Sequence, residues 1–204
     1  MTGSVVKVMH VGNACHVRPR MPAFAAAMSN DAQPSPDCAP KAEVPKTSAG
    51  FHHYQRGRFS ARLPLDYLYT PSHAWLRPTP EENPTRYRVG LTKFATRMLG
   101  ELVDIQLDPQ PGDPISPGDI LGSIEGFKAL TDLYCVGQGI FVSANPELAK
   151  TVEFVSQNPH TQGWLYAFDG APGEGALDVK GYCGLLDETI DRILANEKQA
   201  EDEA

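Results

Sequence analysis

Residues 120 to 136 hold two apolar runs of strand length, Ile120-Leu121-Gly122-Ser123-Ile124 and Leu130-Thr131-Asp132-Leu133-Tyr134-Cys135-Val136, joined by a short centre with Gly126 and one lysine. That pattern predicts a β-hairpin with Lys128 near its tip. The hairpin sets its amine in solvent, where a modifying enzyme can reach it. Acylation would turn the lysine stem into a long arm on a rigid base. Spacing alone leaves the plain alternative of a solvated surface charge, and the neighbours decide between the two.

The flanks repeat the theme of short strands and tight turns. Tyr69-Thr70-Pro71-Ser72-His73-Ala74-Trp75-Leu76 reads as a turn entering a strand, with Trp75 as a core anchor. Pro78 to Pro84 forms a loop, and Tyr87-Arg88-Val89-Gly90-Leu91 alternates as a strand. Lys93 to Leu99 reads as a short helix capped by Thr92 and stopped by Gly100. Leu102 to Leu107 alternates again. Next come Pro111-Gly112-Asp113 and Pro117-Gly118-Asp119, one tripeptide used twice, each copy marking a corner because proline presets one turn dihedral and glycine tolerates positive φ. Beyond the hairpin, Gly137-Gln138-Gly139 reads as another turn into a strand over Ile140 to Asn145. Leu186, Ile190, Ile193 and Leu194 follow Tyr182 at spacings that give a closing helix one apolar face. Many short strands predict a barrel or sandwich.

Composition sets the outer limits. Among 204 residues, 18 prolines and 18 glycines favour a smaller domain with tails over one large domain. Residues 1–62 lack periodic apolar positions and run through Pro-, Ala- and Ser-rich stretches, which predicts a disordered extension. Lys7, Arg18 and Arg20 precede the first acid, Asp31, a distribution similar to an organelle transit peptide, with a start at Met21 or Met28 as the alternative. The folded domain is then expected over 63–195, with 196–204 an acidic, frayed helix tail. His52 and His53 fall in the extension without further ligands for a metal site.

No apolar run approaches membrane-spanning length. Cys15, Cys38, Cys135 and Cys183 lack paired spacing, so free thiols in a reduced compartment are expected, with Cys135 and Cys183 as small apolar core residues. The net charge of −7 divides unevenly: through Arg62 eight basic residues face three acids, and the remainder carries ten against twenty-two. An acidic body argues against nucleic acid as a partner and suits docking on basic enzyme surfaces. Solubility accounts for the same number.

Glu125-x-x-Lys128-Ala129-x-x-Asp132 resembles the lipoyl-attachment signature of the glycine cleavage system H-protein family, E-S-V-K-A-x-S-D, with Gly126, Phe127 and Thr131 departing from it. A biotin carrier would set methionines on both sides of the lysine. Tyr69-x-x-Ser72-His73-x-Trp75 resembles the family's Y-x-x-S-H-E-W. Val89-Gly90-Leu91-Thr92, Leu99-Gly100-Glu101-Leu102-Val103 and Asn158-Pro159-His160-x-x-Gly163-Trp164-Leu165 are similar to its further motifs, in the family's order. The resemblance spans roughly Leu63 to Leu194.

The resemblance implies a mainly β, flattened lipoyl-domain barrel of two sheets with a C-terminal helix. It implies lipoate on Lys128, with Glu125, Asp132 and Ser72 supporting the arm or its cargo. As partners it implies glycine decarboxylase, aminomethyltransferase, dihydrolipoyl dehydrogenase and the lipoyl-attaching enzymes, to a monomeric carrier with no activity of its own. As the compartment it implies the bacterial cytoplasm, or the mitochondrion of a eukaryote. Ala74 stands where the family glutamate helps hold the loaded amine, which leaves open an H-like carrier of other cargo, such as sulfur, or a lipoyl relay. An unmodified interaction module is the third alternative. No catalytic triad or phosphate loop accompanies these motifs; His73 reads as a structural hydrogen-bonder, and His160, in place of a family tyrosine, as a packing residue.

Overall fold

A computed structural model describes residues 50–202, and within them strands dominate. In chain order they are β1 (Phe51–Arg56), β2 (Phe59–Pro64), β3 (Leu68–Tyr69), β4 (Ala74–Pro78), β5 (Arg86–Leu91), α1 (Lys93–Leu99), β6 (Leu102–Leu107), β7 (Pro114–Ile115), β8 (Ile120–Gly126), β9 (Leu130–Tyr134), β10 (Gly137–Ala144), α2 (Phe154–Gln157), β11 (Trp164–Pro172) and α3 (Val179–Asp202). The transit-peptide-like stretch, Met21, Met28, Cys15 and Cys38 lie outside the described residues.

The strands form three sheets: the hairpin β1-β2, a six-stranded sheet ordered β3-β4-β5-β11-β10-β7, and a three-stranded sheet ordered β6-β8-β9. The mainly β class and the closing helix agree with expectation. The sheets are three rather than two and do not close into a barrel. Alternation along β4 shows how the layers arise. Ala74 and Leu76 point into a core shared with Leu121, Ile124 and Leu133 of the three-stranded sheet. Trp75, between them, points the other way, into a core with Tyr54, Phe59, Tyr182 and Leu186. The six-stranded sheet is thus buried on both faces, by β6-β8-β9 on one side and by α3 with β1-β2 on the other.

The expected start near Leu63 is too late, because residues 51–64 pair in register from Phe51↔Pro64 to Arg56↔Phe59. The hairpin is held from outside itself. The Tyr54 hydroxyl donates to Asp187 at 2.8 Å, and Arg56 reaches Asp187 at 3.0 Å and Asp191 at 2.8 Å, both on α3. At the other end α3 continues to Asp202, so the boundary drawn at residue 196 falls inside a helix.

The two Pro-Gly-Asp corners carry the same bonds. Asp113 accepts from the Gln110 amide at 2.7 Å and Asp119 from the Ser116 amide at 2.8 Å. Gly112 donates to Phe141 and receives Phe141's amide back on Asp113; Gly118 and Asp119 do the same with Cys135. Both glycines have φ near +90°, at 100° and 91°. Gly137-Gln138-Gly139 is strand rather than turn. A Cβ on Gly139 would strike the Asp169 carbonyl and one on Gly137 the Phe168 ring, so these glycines serve close strand packing. Cys135 is buried, its thiol pushed up by desolvation, and Cys183 is half-buried.

Candidate functional site

Lys128 lies in the three-residue loop Phe127-Lys128-Ala129 that joins β8 to β9. Gly126 donates to Ala129 at 2.8 Å and Ala129 returns a bond at 3.3 Å, which closes the hairpin at the base of the loop. The loop's own amides, left over by so tight a turn, reach across to the end of α1. Phe127 donates to the Glu101 carbonyl at 2.7 Å and Lys128 to that of Leu99 at 3.0 Å. Both backbone donors of the tip are therefore satisfied.

This seat requires two glycines. A Cβ on Gly126 would meet the Leu99 carbonyl oxygen, with the Leu99 carbonyl carbon at 3.0 Å behind it. Gly100, with φ of 80°, ends α1, and a Cβ there would stand 3.0 Å from Cγ of Lys128. The lysine stem rests along this bare backbone while the residue as a whole is exposed. Lys128 has no salt-bridge partner among the described residues.

The sheet below the tip is acidic. Asp104 faces Glu125 across β6-β8, Glu125 faces Leu130, and Asp132 follows two residues along β9, opposite Ser123. Side chains two apart on a strand share a face, so Glu125 and Asp132 stand together under Lys128, both exposed. The Tyr134 hydroxyl donates to Asp132 at 3.2 Å. Ser72 lies in the turn between β3 and β4, with its hydroxyl 2.8 Å from that of Thr70. Ala74 is 4% exposed and packs in the inter-sheet core.

The ground around the lysine is apolar: Phe127, already marked as a departure from the signature, is 84% exposed, and Leu130, which the sequence did not single out, 71%. Nor did the sequence mark the carbonyls of Leu99 and Glu101, whose role no side chain announces. The helix that supplies them is itself fixed at its other end. Thr92 caps α1, accepting from Ala95, and its hydroxyl lies 2.9 Å from that of Tyr182, which lies 3.0 Å from Nδ1 of His73. Burial holds the His73 imidazole below its ordinary range. His73 is a structural hydrogen-bonder, and His160 packs against Tyr67 and Trp75.

Layered sheets that hold a single lysine out on an anchored three-residue loop, above an acidic face, have the form of a carrier domain. The sequence profile of the glycine cleavage H-protein family matches residues 67–174. The chain belongs to that family. It is 36% identical over 131 residues to the glycine cleavage system H protein of Alteromonas mediterranea, covering 63% of this chain and 98% of the relative. With that of Kocuria rhizophila it shares 34% over 128 residues, covering 61% and 98%. The crystal structure of a glycine cleavage system H protein from Mycobacterium marinum superposes with a TM-score of 0.53 at 33% identity, covering 60% of this chain and 97% of that one. The hairpin β1-β2 precedes the matched span. No described helix is long and apolar enough to cross a membrane.

Proposed function

We propose that Lys128 carries lipoate in amide linkage and that the chain shuttles an aminomethyl group among the enzymes of glycine cleavage. The observation that carries this reading is the seat of Lys128, an exposed amine on a tip whose two amides are pinned by Leu99 and Glu101. The residues fit the group: the stem lies on the Gly100 backbone, and the amine has no partner to lose among the described residues. The lipoyl group supplies the disulfide that takes up the cargo. The chain supplies the rest. Acylation removes the lysine charge, so the acids at Asp104, Glu125 and Asp132 dominate the field around the tip and steer basic surfaces onto it. Phe127 and Leu130 offer those surfaces apolar contact beside the lysine.

The partners under this reading are glycine decarboxylase, aminomethyltransferase, dihydrolipoyl dehydrogenase and a lipoyl-attaching enzyme, met in the bacterial cytoplasm or, in a eukaryote, the mitochondrion. Lipoylation of the wild-type chain followed by glycine-dependent loading, with Lys128→Arg as control, tests it. Loading of the wild type alone supports the reading, and equal loading of the variant contradicts it. Ala74 favours a second reading, a carrier for other cargo, because an alanine packed in the core offers no charge to a loaded amine. Under the first reading Ala74→Glu lengthens retention of the aminomethyl group; under the second, glycine-derived cargo is unaffected.

A further inference from the structure

A cavity of about 670 Å³ opens between the turn of β1-β2, α1 and the last turns of α3. Its volume falls in the range that encloses a small organic ligand. A third of its wall, from Arg56 to Phe59, belongs to the hairpin that precedes the family-matched span. The floor is apolar: Phe59 and Phe94 meet edge to face at 5.6 Å, and Ile190 is buried beside them. The mouth is cationic. Arg56 is already committed to Asp187 and Asp191. Arg58, Arg97 and Lys198 remain, against one acid, Glu197, and none of the three forms a salt bridge among the described residues. Arg97 is oriented at the mouth, donating to the Arg58 carbonyl at 3.4 Å with its guanidinium 5.8 Å from the Phe59 ring centre.

We propose that this cavity binds an aliphatic carboxylate of medium length, its chain on Phe59, Phe94 and Ile190 and its head on Arg58, Arg97 and Lys198. An apolar floor under three cations that outnumber the one acid, Glu197, selects an amphiphile with one negative end. A planar guanidinium matches a carboxylate by paired hydrogen bonds. A neutral chain would leave the cations unanswered, and an ammonium would be repelled. Lys128 does not line the cavity, yet Met98, in its wall, directly precedes the Leu99 whose carbonyl holds the Lys128 amide.

The test is a titration of the full, unmodified chain with octanoate below its micelle concentration, followed by calorimetry and amide chemical shifts. Saturable one-to-one binding with shifts at Phe59, Phe94 and Ile193 is expected, with octylammonium producing none. Arg58→Ala combined with Lys198→Ala should weaken binding about tenfold to a hundredfold through loss of charged contacts, at unchanged thermal midpoint, since both side chains lie at the surface. Glu197→Gln should strengthen it. Absence of saturable binding, equal binding of octylammonium, or indifference to the double variant overturns the proposal.

Discussion

Gly126→Ala is the substitution through which the seat of the lysine is most open to challenge. The new methyl group meets the Leu99 carbonyl oxygen, with the Leu99 carbonyl carbon and Cβ each at 3.0 Å. Backbone cannot rotate aside as a flexible side chain would, so the loop must lift away from residues 99–101. Lifting breaks two bonds, Phe127 to Glu101 at 2.7 Å and Lys128 to Leu99 at 3.0 Å. At about 0.5–1.5 kcal/mol net for each, the anchored tip loses roughly 1–3 kcal/mol. The opening equilibrium of the tip then rises about 5-fold to 150-fold. Amide hydrogen exchange reads this directly: Phe127 and Lys128 should lose protection by that factor, while Ile124 and Thr131, paired deeper in the hairpin, stay near wild type. Gly126→Ser, which restores the residue of the family signature, meets the same carbonyl and should behave alike. Protection within twofold of wild type at both amides would refute the steric reasoning and, with it, the claim that α1 holds the lysine in place.

Removing the Tyr182 hydroxyl with Phe leaves Thr92 and His73 without their shared partner while the ring keeps its stack on Tyr69 at 4.7 Å; urea denaturation should show a loss of about 1–3 kcal/mol. Phe59→Ala should cost about 3 kcal/mol and lower the thermal midpoint by roughly 6–12 °C, since Phe59 is buried against Phe94; an unchanged midpoint would mean that the β1-β2 hairpin is not part of the folded unit. Burial lowers the pKa of His73 and His160 below the ordinary histidine range. Their contribution is therefore fully present above about pH 6.5 and declines as the pH falls from there toward the lowered values. Denaturant midpoints measured across that window should drop on acidification, and His73→Gln should flatten the slope.

Much of this architecture is local and so was legible in the residues. Thr92 and Gly100 bound α1 because a cap and a positive-φ glycine act within one turn of chain. The twin Pro-Gly-Asp corners close on their own aspartates, and Lys128 marks the tip because two strand-length apolar runs leave it no other place. What stayed hidden is non-local. Only Tyr54 of β1 is buried, so the strand carries no alternation, and it is held by Asp187 and Asp191, more than a hundred residues on. Gly137 and Gly139 looked like a turn because composition cannot separate a glycine that bends from one that admits Phe168 and the Asp169 backbone. The anchoring of Phe127 and Lys128 by main-chain carbonyls leaves no mark in any side chain. Ser72 and Ala74, joined to the site through the family signature, occupy a turn and a core position on the other sheet.

Under the proposed function, Lys128 bears a lipoyl group in the cell. Intact mass and peptide mapping of the protein purified from its own cells measure that directly. A lipoyl adduct is expected on the peptide containing Lys128 and on no other lysine. An unmodified Lys128, in cells that lipoylate their other acceptor proteins, would contradict it.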